Sequence, residues 1–316
     1  LQRGSMKELE FSNDGSMALS ISDSGISREP DSITLIKIDG RMVPLDHQKL
    51  RATISRVAKG LSDVSVDDIE KEVCKNLQDG MQTKDLDRLF VLAASGFIER
   101  SPEYNILSAR FLKQRLYKEV FGKSISQQNF SQTYRDTFIT NLTIGVVQDY
   151  FDKRLLDFDL EVISQNLKPE CDELFGFMGL HTLYERYFLK IDGKRLETPQ
   201  AFWMRIAMGL ALNEKNPQEN VLAFYEILST LRYVPSTPTL FHSGMKVPQL
   251  SSCFLSTVTD DLSHIFKCIG DNAQLAKWAG GLGTDWTGIR ATGSFIKGIK
   301  ATSQGVVPFL KIANDV

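Results

Sequence analysis

The run Ile33-Thr-Leu-Ile-Lys-Ile-Asp-Gly-Arg-Met-Val-Pro-Leu-Asp46 decides how the first third of the chain folds. Its opening six residues are β-branched and apolar enough for a strand. Asp39-Gly40 is a hairpin turn signal, because such a turn needs positive φ at its centre, and Arg41-Met-Val43 returns. The period then changes. Asp46 is placed to cap a helix carrying Leu50, Ile54, Val57 and Ala58 at helical spacing, closed by Gly60. Ser65 opens a second helix through Ile69, Val73 and Leu77, broken at Asp79-Gly80. Thr83 opens a third through Leu86, Phe90, Ala93 and Phe97. After Ser101-Pro102 a fourth carries Leu107, Phe111 and Leu116 to Gly122. Residues 33–123 thus read as one module, a β-hairpin plus four helices.

Residues 1–32 are Ser-, Asp-, Gly- and Asn-rich and read as a flexible tail, with Leu1-Gln-Arg-Gly-Ser-Met6 resembling a tag remnant. Residues 124–316 read as a helical region leading into a larger α/β domain. Helices are expected near 130–152 and 158–166, and a strand and turn from Tyr184-Glu-Arg-Tyr187 to Asp192-Gly193. Two amphipathic helices are expected at about 200–213 and 218–231. Beyond Val234, short Ser/Thr/Gly/Pro-rich segments alternate with apolar runs, the texture of loops joining strands and helices.

Composition narrows the class. A net charge of −2 gives no basis for coating a polyanion or a membrane, so neither nucleic acid nor membrane is expected as a partner. No apolar run approaches the ~18 residues of a membrane span. Cys74, Cys171, Cys253 and Cys268 are far apart with no CxxC pair, and the histidines at 47, 181, 242 and 264 lack HxxxH or HExxH spacing. A disulfide scaffold and a metal site made by this chain are therefore not expected, and a reducing cytoplasm is.

Chemistry concentrates at the carboxyl end. In Pro235-Ser-Thr-Pro-Thr-Leu240 two prolines are expected to hold the backbone extended and expose hydroxyls. Ser251-Ser-Cys253-Phe-Leu255 follows, then a helix-like stretch from Asp260 to Lys277. Gly280-Gly-Leu-Gly283 and Gly288-Ile-Arg290-Ala-Thr-Gly293 complete the set. Glycines at this density let backbone approach a phosphate, with Arg290 and Lys297 supplying charge. A tight-turn loop is the plainer reading of the glycines, and a buried small hydrophobe that of Cys253.

The order STPTL, PQLSSCFL, a DD pair, AKWAGGLG, GIRATGS and GxxPFLK resembles the large subunit of class I ribonucleotide reductase. The amino-terminal module, with DGR before PLD, DGM-x-T and SPEYN-x-L-x-AR, resembles that family's ATP-cone. The resemblance implies an α/β fold overall: a mainly helical ATP-cone, a helical region and the first part of a ten-stranded α/β barrel. It also implies reduction of ribonucleoside diphosphates by radical chemistry, with the radical supplied by a small radical-generating partner subunit and electrons by thioredoxin or glutaredoxin. Cys253 matches one member of the reducing cysteine pair, Ser252 a substrate contact, and Thr237 a position near the substrate phosphates. Turn capping is the structural alternative for the two hydroxyls.

For the specificity site, which reads deoxynucleoside triphosphates, Asp260 matches the sugar-binding carboxylate, with Asp261 one residue out of register. Lys277 matches a position near the effector and Arg290 a phosphate contact, with Lys297 adding charge on the following loop, the lysines being alternatively solvated surface groups. That site lies at a subunit interface in the family, implying a homodimer or higher oligomer. In the cone, Lys37, Asp46, Lys49, Thr83 and Lys118 match contacts to Mg-bound ATP or dATP. Ile38, Val43 and Asp87 stand where the family commonly has a basic residue, a carboxylate and a histidine, departures that bear on affinity and on ATP/dATP discrimination. A degenerate structural cap is the other reading of the cone. The radical-bearing cysteine and the partner of Cys253 have no counterpart in these 316 residues, so no turnover by this chain alone is expected. A stand-alone nucleotide-binding module controlling oligomerisation is the alternative function.

Overall fold

The computed structural model describes residues 33–37, 40–122, 127–278 and 280–316. Strand β1 (Thr34–Ile36) pairs antiparallel with β2 (Met42–Pro44), Leu35 opposite Val43, as the hairpin reading required. Ile38 and Asp39 of the turn lie outside the described residues. On its far side Gly40 takes φ 79°, a conformation that a Cβ would strain. A third strand, β3 (Met81–Gln82), runs parallel to β1 on the opposite edge from β2. Two residues are too few to display a period, so the sequence shows only a helix break there.

Helices α1 (His47–Val57), α2 (Val66–Asn76), α3 (Thr83–Ser95) and α4 (Glu103–Phe121) follow the expected boundaries. Asp46 caps α1 by accepting from the Lys49 amide at 2.9 Å, and Ser65 caps α2 by accepting from the Asp68 amide at 3.1 Å. Caps of this kind contribute roughly 1 kcal/mol each. The helices bury Ile54, Ile69, Phe90 and Leu107 against one another, and Phe90 stacks on Phe111 at 5.0 Å. Gly122 ends α4 in the left-handed region.

The helical region contains α5 (Phe130–Val147), α6 (Leu160–Gln165), α7 (Phe177–Thr182), α8 (Pro199–Ala211) and α9 (Pro217–Ser229). Helix α5 stops short of the expected residue 152, because the ring of Phe151 folds back onto Gly145, where a Cβ would sit 2.2 Å from it. The expected strand at residues 184–187 is instead a π-helical turn (Leu183–Tyr187) continuing α7. Tyr184 and Tyr187 are spaced i, i+3, which suits a helix; a strand would put them on opposite faces. The hairpin is confined to β4 (Lys190–Ile191) and β5 (Lys194–Arg195) around Asp192 and Gly193, both at positive φ.

Helix α8 departs from the amphipathic expectation. Every residue from Pro199 to Met208 is buried, since the helix runs through the middle of the core. That core is continuous from Leu35 to Leu240. Within it Arg205 Nε donates to Glu197 at 2.6 Å, both side chains being almost fully enclosed. Removing one partner of such a pair costs about 3–5 kcal/mol by stranding the other charge.

The carboxyl end comprises α10 (Thr237–His242), β6 (Cys253–Thr257), α11 (Leu262–Ala276), β7 (Gly281–Asp285) and α12 (Val307–Asp315). The expected extended segment at 235–240 is a helix from Thr237 onward. Pro238 sits in its first turn, where the missing N–H would have had no partner in any case. Strands β6 and β7 pair in parallel, Cys253 opposite Gly281, with α11 as crossover. Val258, Ile265, Cys268 and Ile269 form a separate small core beneath them. No helix among the described residues is long and apolar enough to cross a membrane.

Candidate functional site

The segment carrying Thr237 and the strand carrying Cys253 are pinned together. Thr239 Oγ1 donates to the Leu250 carbonyl at 3.3 Å, and His242 Nδ1 lies 2.9 Å from the Gln249 carbonyl. Gln249 extends the lattice. Its amide nitrogen donates to the carbonyls of Ser251 (2.9 Å) and Trp278 (3.3 Å), and its oxygen accepts from the Ser251 amide at 2.5 Å. Thr237, Ser252 and Cys253 all remain exposed beside this lattice. The Cys253 thiol is therefore open to a reacting partner, and the buried-hydrophobe reading does not apply to it.

Gly280-Gly-Leu-Gly283 is extended and not a turn or loop. It leads into and forms β7, and its glycines make room for the neighbouring strand. A Cβ on Gly280 would lie 2.5 Å from the Phe254 ring, and one on Gly283 would lie 2.8 Å from Leu255 Cδ2. The run serves close strand packing next to Cys253.

Asp260 and Arg290 come together: Arg290 Nε donates to Asp260 Oδ2 at 2.6 Å, and its Nη1 donates to the Phe295 carbonyl at 3.3 Å. Asp261 caps α11, accepting from the His264 amide at 2.8 Å. The two neighbouring carboxylates thus have different partners, Asp260 in the loop and Asp261 on the helix. Lys277 lies at the other end of α11, its Nζ 5.8 Å from the Trp278 ring centre. A fifteen-residue helix spans about 22 Å, so one chain does not bring Lys277 to Asp260. Lys297 is exposed in a turn closed by the Phe295–Thr302 bridge.

In the amino-terminal module, the parallel register Ile36–Gln82 makes Lys37 and Thr83 the next residues at the same end of the sheet. Asp87, one turn beyond Thr83 on the same face of α3, accepts from Lys118 Nζ at 2.6 Å. Asp46 and Lys49 stand apart, at the start of α1. The Leu45 amide bonds the Ile33 carbonyl there, at the opposite end of β1. Asp46 is occupied as a cap, and both Lys37 and Lys49 are exposed.

Two residues beside these sites escaped the sequence reading. Tyr187, on the π turn, places its hydroxyl 3.1 Å from Thr237 Oγ1 and stacks on Phe241 at 4.6 Å. Gln249 was visible in the PQLSSC run, but nothing in the spacing announced its bonds across to Trp278. Among the described residues no cluster of acids, histidines and cysteines could hold a metal ion.

Three family models match the chain in consecutive order. Residues 33–119 match the ATP cone domain, 173–248 the ribonucleotide reductase all-alpha domain, and 251–316 the ribonucleotide reductase barrel domain. The chain belongs to the ribonucleotide reductase large-subunit family. It corresponds to the amino-terminal portion, ATP-cone included. The ribonucleoside-diphosphate reductase subunit alpha of Chlamydia pneumoniae is 49% identical over 243 residues, covering 76% of this chain and 23% of that protein. The subunit alpha of Helicobacter pylori strain 26695 is 34% identical, covering 90% of this chain and 35% of its own length. The large subunit of Arabidopsis thaliana is 32% identical, covering 89% and 34%. The chain thus spans about a quarter to a third of the length of these curated relatives.

Proposed function

We propose that this chain supplies the nucleotide-sensing part and one redox cysteine of a ribonucleoside-diphosphate reductase. Residues 33–123 act as the ATP-cone, and residues 124–316 as the helical region and the start of the catalytic barrel. The observation that carries the catalytic part is the open Cys253 thiol on a strand pinned to the Thr237 helix. In a complete subunit, Cys253 protonates the leaving 2′ hydroxyl of a ribonucleoside diphosphate. It then joins a second cysteine as a disulfide, the two thiols giving up two electrons and two protons to the substrate. Thr237 and Ser252 hold the substrate. A small radical-generating subunit, and thioredoxin or glutaredoxin to reduce the disulfide, complete the system in a cytoplasmic setting.

The specificity site is read as shared between two chains. Asp260 and Lys277 are separated by the length of α11, yet an antiparallel α11 from a second copy would bring the partner's lysine end to this chain's Asp260. Exposed Leu262 and Phe266, spaced i, i+4 on α11, supply an apolar stripe for such a pairing. Arg290 and Lys297 contribute charge to the effector phosphates. The cone takes Mg-bound ATP or dATP with Lys37, Thr83 and Lys118 at one end of the sheet and Asp46 and Lys49 at the other, the nucleotide spanning the short strand β1 between them.

Calorimetric titration with ATP and with dATP tests the cone. Binding abolished by Lys37→Ala or Lys49→Ala is expected. No binding by a chain with a native circular-dichroism spectrum would leave the cone a structural cap and sink its sensory role.

A further inference from the structure

Helix α4 is the last helix of the cone, yet one line of its residues faces into the helical region. Asn105 Oδ1 accepts from the Phe177 amide at 2.9 Å, with Gly176 too close to that side chain to carry a Cβ. Lys113, almost wholly buried, pairs with Glu173 at 2.5 Å, and the Tyr117 hydroxyl donates to Asp172 Oδ2 at 2.6 Å. These three α4 residues fall at multiples of four and so lie along one stripe. Beside them Glu119 accepts from the Arg195 amide at 2.8 Å and from the Tyr184 hydroxyl at 3.0 Å. The helix is thus fastened along most of its length to residues outside the cone.

Asp172, fully buried, is the centre of this seam. The same oxygen that receives Tyr117 of α4 receives the Tyr134 hydroxyl of α5 at 3.0 Å, and the other receives Gln200 Nε2 of α8 at 2.9 Å. Gln200 in turn accepts from the Tyr225 hydroxyl of α9 at 2.8 Å. Lys113, the neighbouring cation, spends its ammonium on Glu173. A carboxylate surrounded by neutral donors is an expensive way to hold helices together, and apolar packing would do that at less cost. What it adds is direction. One atom shared by a cone tyrosine and a tyrosine of the helical region ties the positions of α4, α5 and α8 to one another. From α8 the chain of contacts continues, because Arg205 Nη1 donates to the Ser243 carbonyl at the end of the Thr237 helix.

We propose that Asp172 is a coupling residue, through which order gained or lost in the cone passes to α8 and hence to the helix carrying Thr237. The proposal deepens the reading of the cone as a sensor and rests on it for its biological use. The coupling itself is measurable without any nucleotide, so a failure of nucleotide binding would not be confused with a failure of the coupling.

The test is native-state hydrogen exchange on this chain, comparing Tyr117→Phe with Tyr134→Phe. Each deletes one hydroxyl from the same carboxylate oxygen, but only Tyr117 crosses from the cone. In the unaltered chain, amides of α3, α4 and α8 are expected to open as one unit. Tyr117→Phe should speed exchange in α3 and α4 at least tenfold and leave α8 unchanged, while Tyr134→Phe should not separate α4 from α8. If both variants speed all of these helices alike, Asp172 is ordinary structural glue and the proposal fails. An unchanged pattern in Tyr117→Phe overturns it equally. Should that variant not fold, Asp172→Asn, which keeps the volume, carries the same comparison: separation of α4 from α8 supports the proposal, and its absence overturns it.

Discussion

Arg290 reaches back thirty residues to hold Asp260, its Nε 2.6 Å from the carboxylate. The groups proposed to meet the sugar and the phosphates of an effector nucleotide therefore position each other. The Arg290→Ala change removes a phosphate partner and also frees Asp260 to rotate. It should weaken dTTP binding at least tenfold while leaving ATP binding at the cone unchanged, as read by separate calorimetric titrations. Equal loss of both would mean that the two sites are misassigned.

Asp87 occupies Lys118, the lysine proposed to contact the triphosphate. An ion pair with a half-exposed lysine is worth only about 0–1 kcal/mol to the fold, so Asp87→Asn should scarcely move the melting temperature. Removing its negative charge from beside the phosphates should tighten ATP roughly tenfold, about 1.4 kcal/mol. Unchanged or weaker binding in Asp87→Asn would show that this carboxylate does not face the ligand.

Burial pushes the Asp172 carboxyl up to about 6, against the pull of hydrogen bonds from Tyr117, Gln200 and Tyr134 and of the charge on Lys113. The folded pKa lies above the ordinary 3.8, so between those values the folded chain holds a proton that the unfolded chain has lost. Stability should therefore fall as pH rises from about 4 to about 6, then level off, by a total on the order of 3 kcal/mol. Tyr117 and Tyr134, held up by the same burial, titrate far above that window. Urea unfolding across the range should show Asp172→Asn gaining on the unaltered chain as pH rises. A pH-independent difference between them would contradict the assignment.

Cys253 is exposed, whereas Cys268 is on the buried face of α11, and Cys74 and Cys171 are half-buried with thiols pushed up by that burial. A substoichiometric alkylating agent at neutral pH should label Cys253 first. Peptide mapping would show it, and the Cys253→Ser chain should react about tenfold more slowly in total. Preferential labelling of Cys74 or Cys171 would remove the case for an open redox thiol.

The four helices of the cone were legible from the spacing of their apolar residues, helped in α1 and α2 by the caps Asp46 and Ser65, whereas α3 and α4 start without a side-chain cap. Helix α8 kept its ends but hid its setting, since a helix enclosed on all sides has no polar stripe. Strand β3 is too short to declare itself, and at Tyr184-Glu-Arg-Tyr187 the i, i+3 spacing of the tyrosines favours the helical turn over the expected strand. At the candidate sites, residue types pointed to Cys253, Asp260 and Arg290. The roles of Asp261 and Gln249 depend on which backbone group lies opposite, and that of Tyr187 on the Thr237 hydroxyl and the Phe241 ring, which only the folded chain brings to it. The glycines of Gly280-Gly-Leu-Gly283 show the converse: a familiar pattern whose use here is to admit Phe254 and Leu255.

The length of α11 has a consequence for genetics. If Asp260 of one copy and Lys277 of the other complete each effector site, damage to the two residues should complement across copies. A subunit lacking Asp260, paired with one lacking Lys277, carries both defects in one site and neither in the other. Such a hybrid would recover half the effector binding that each altered homodimer has lost.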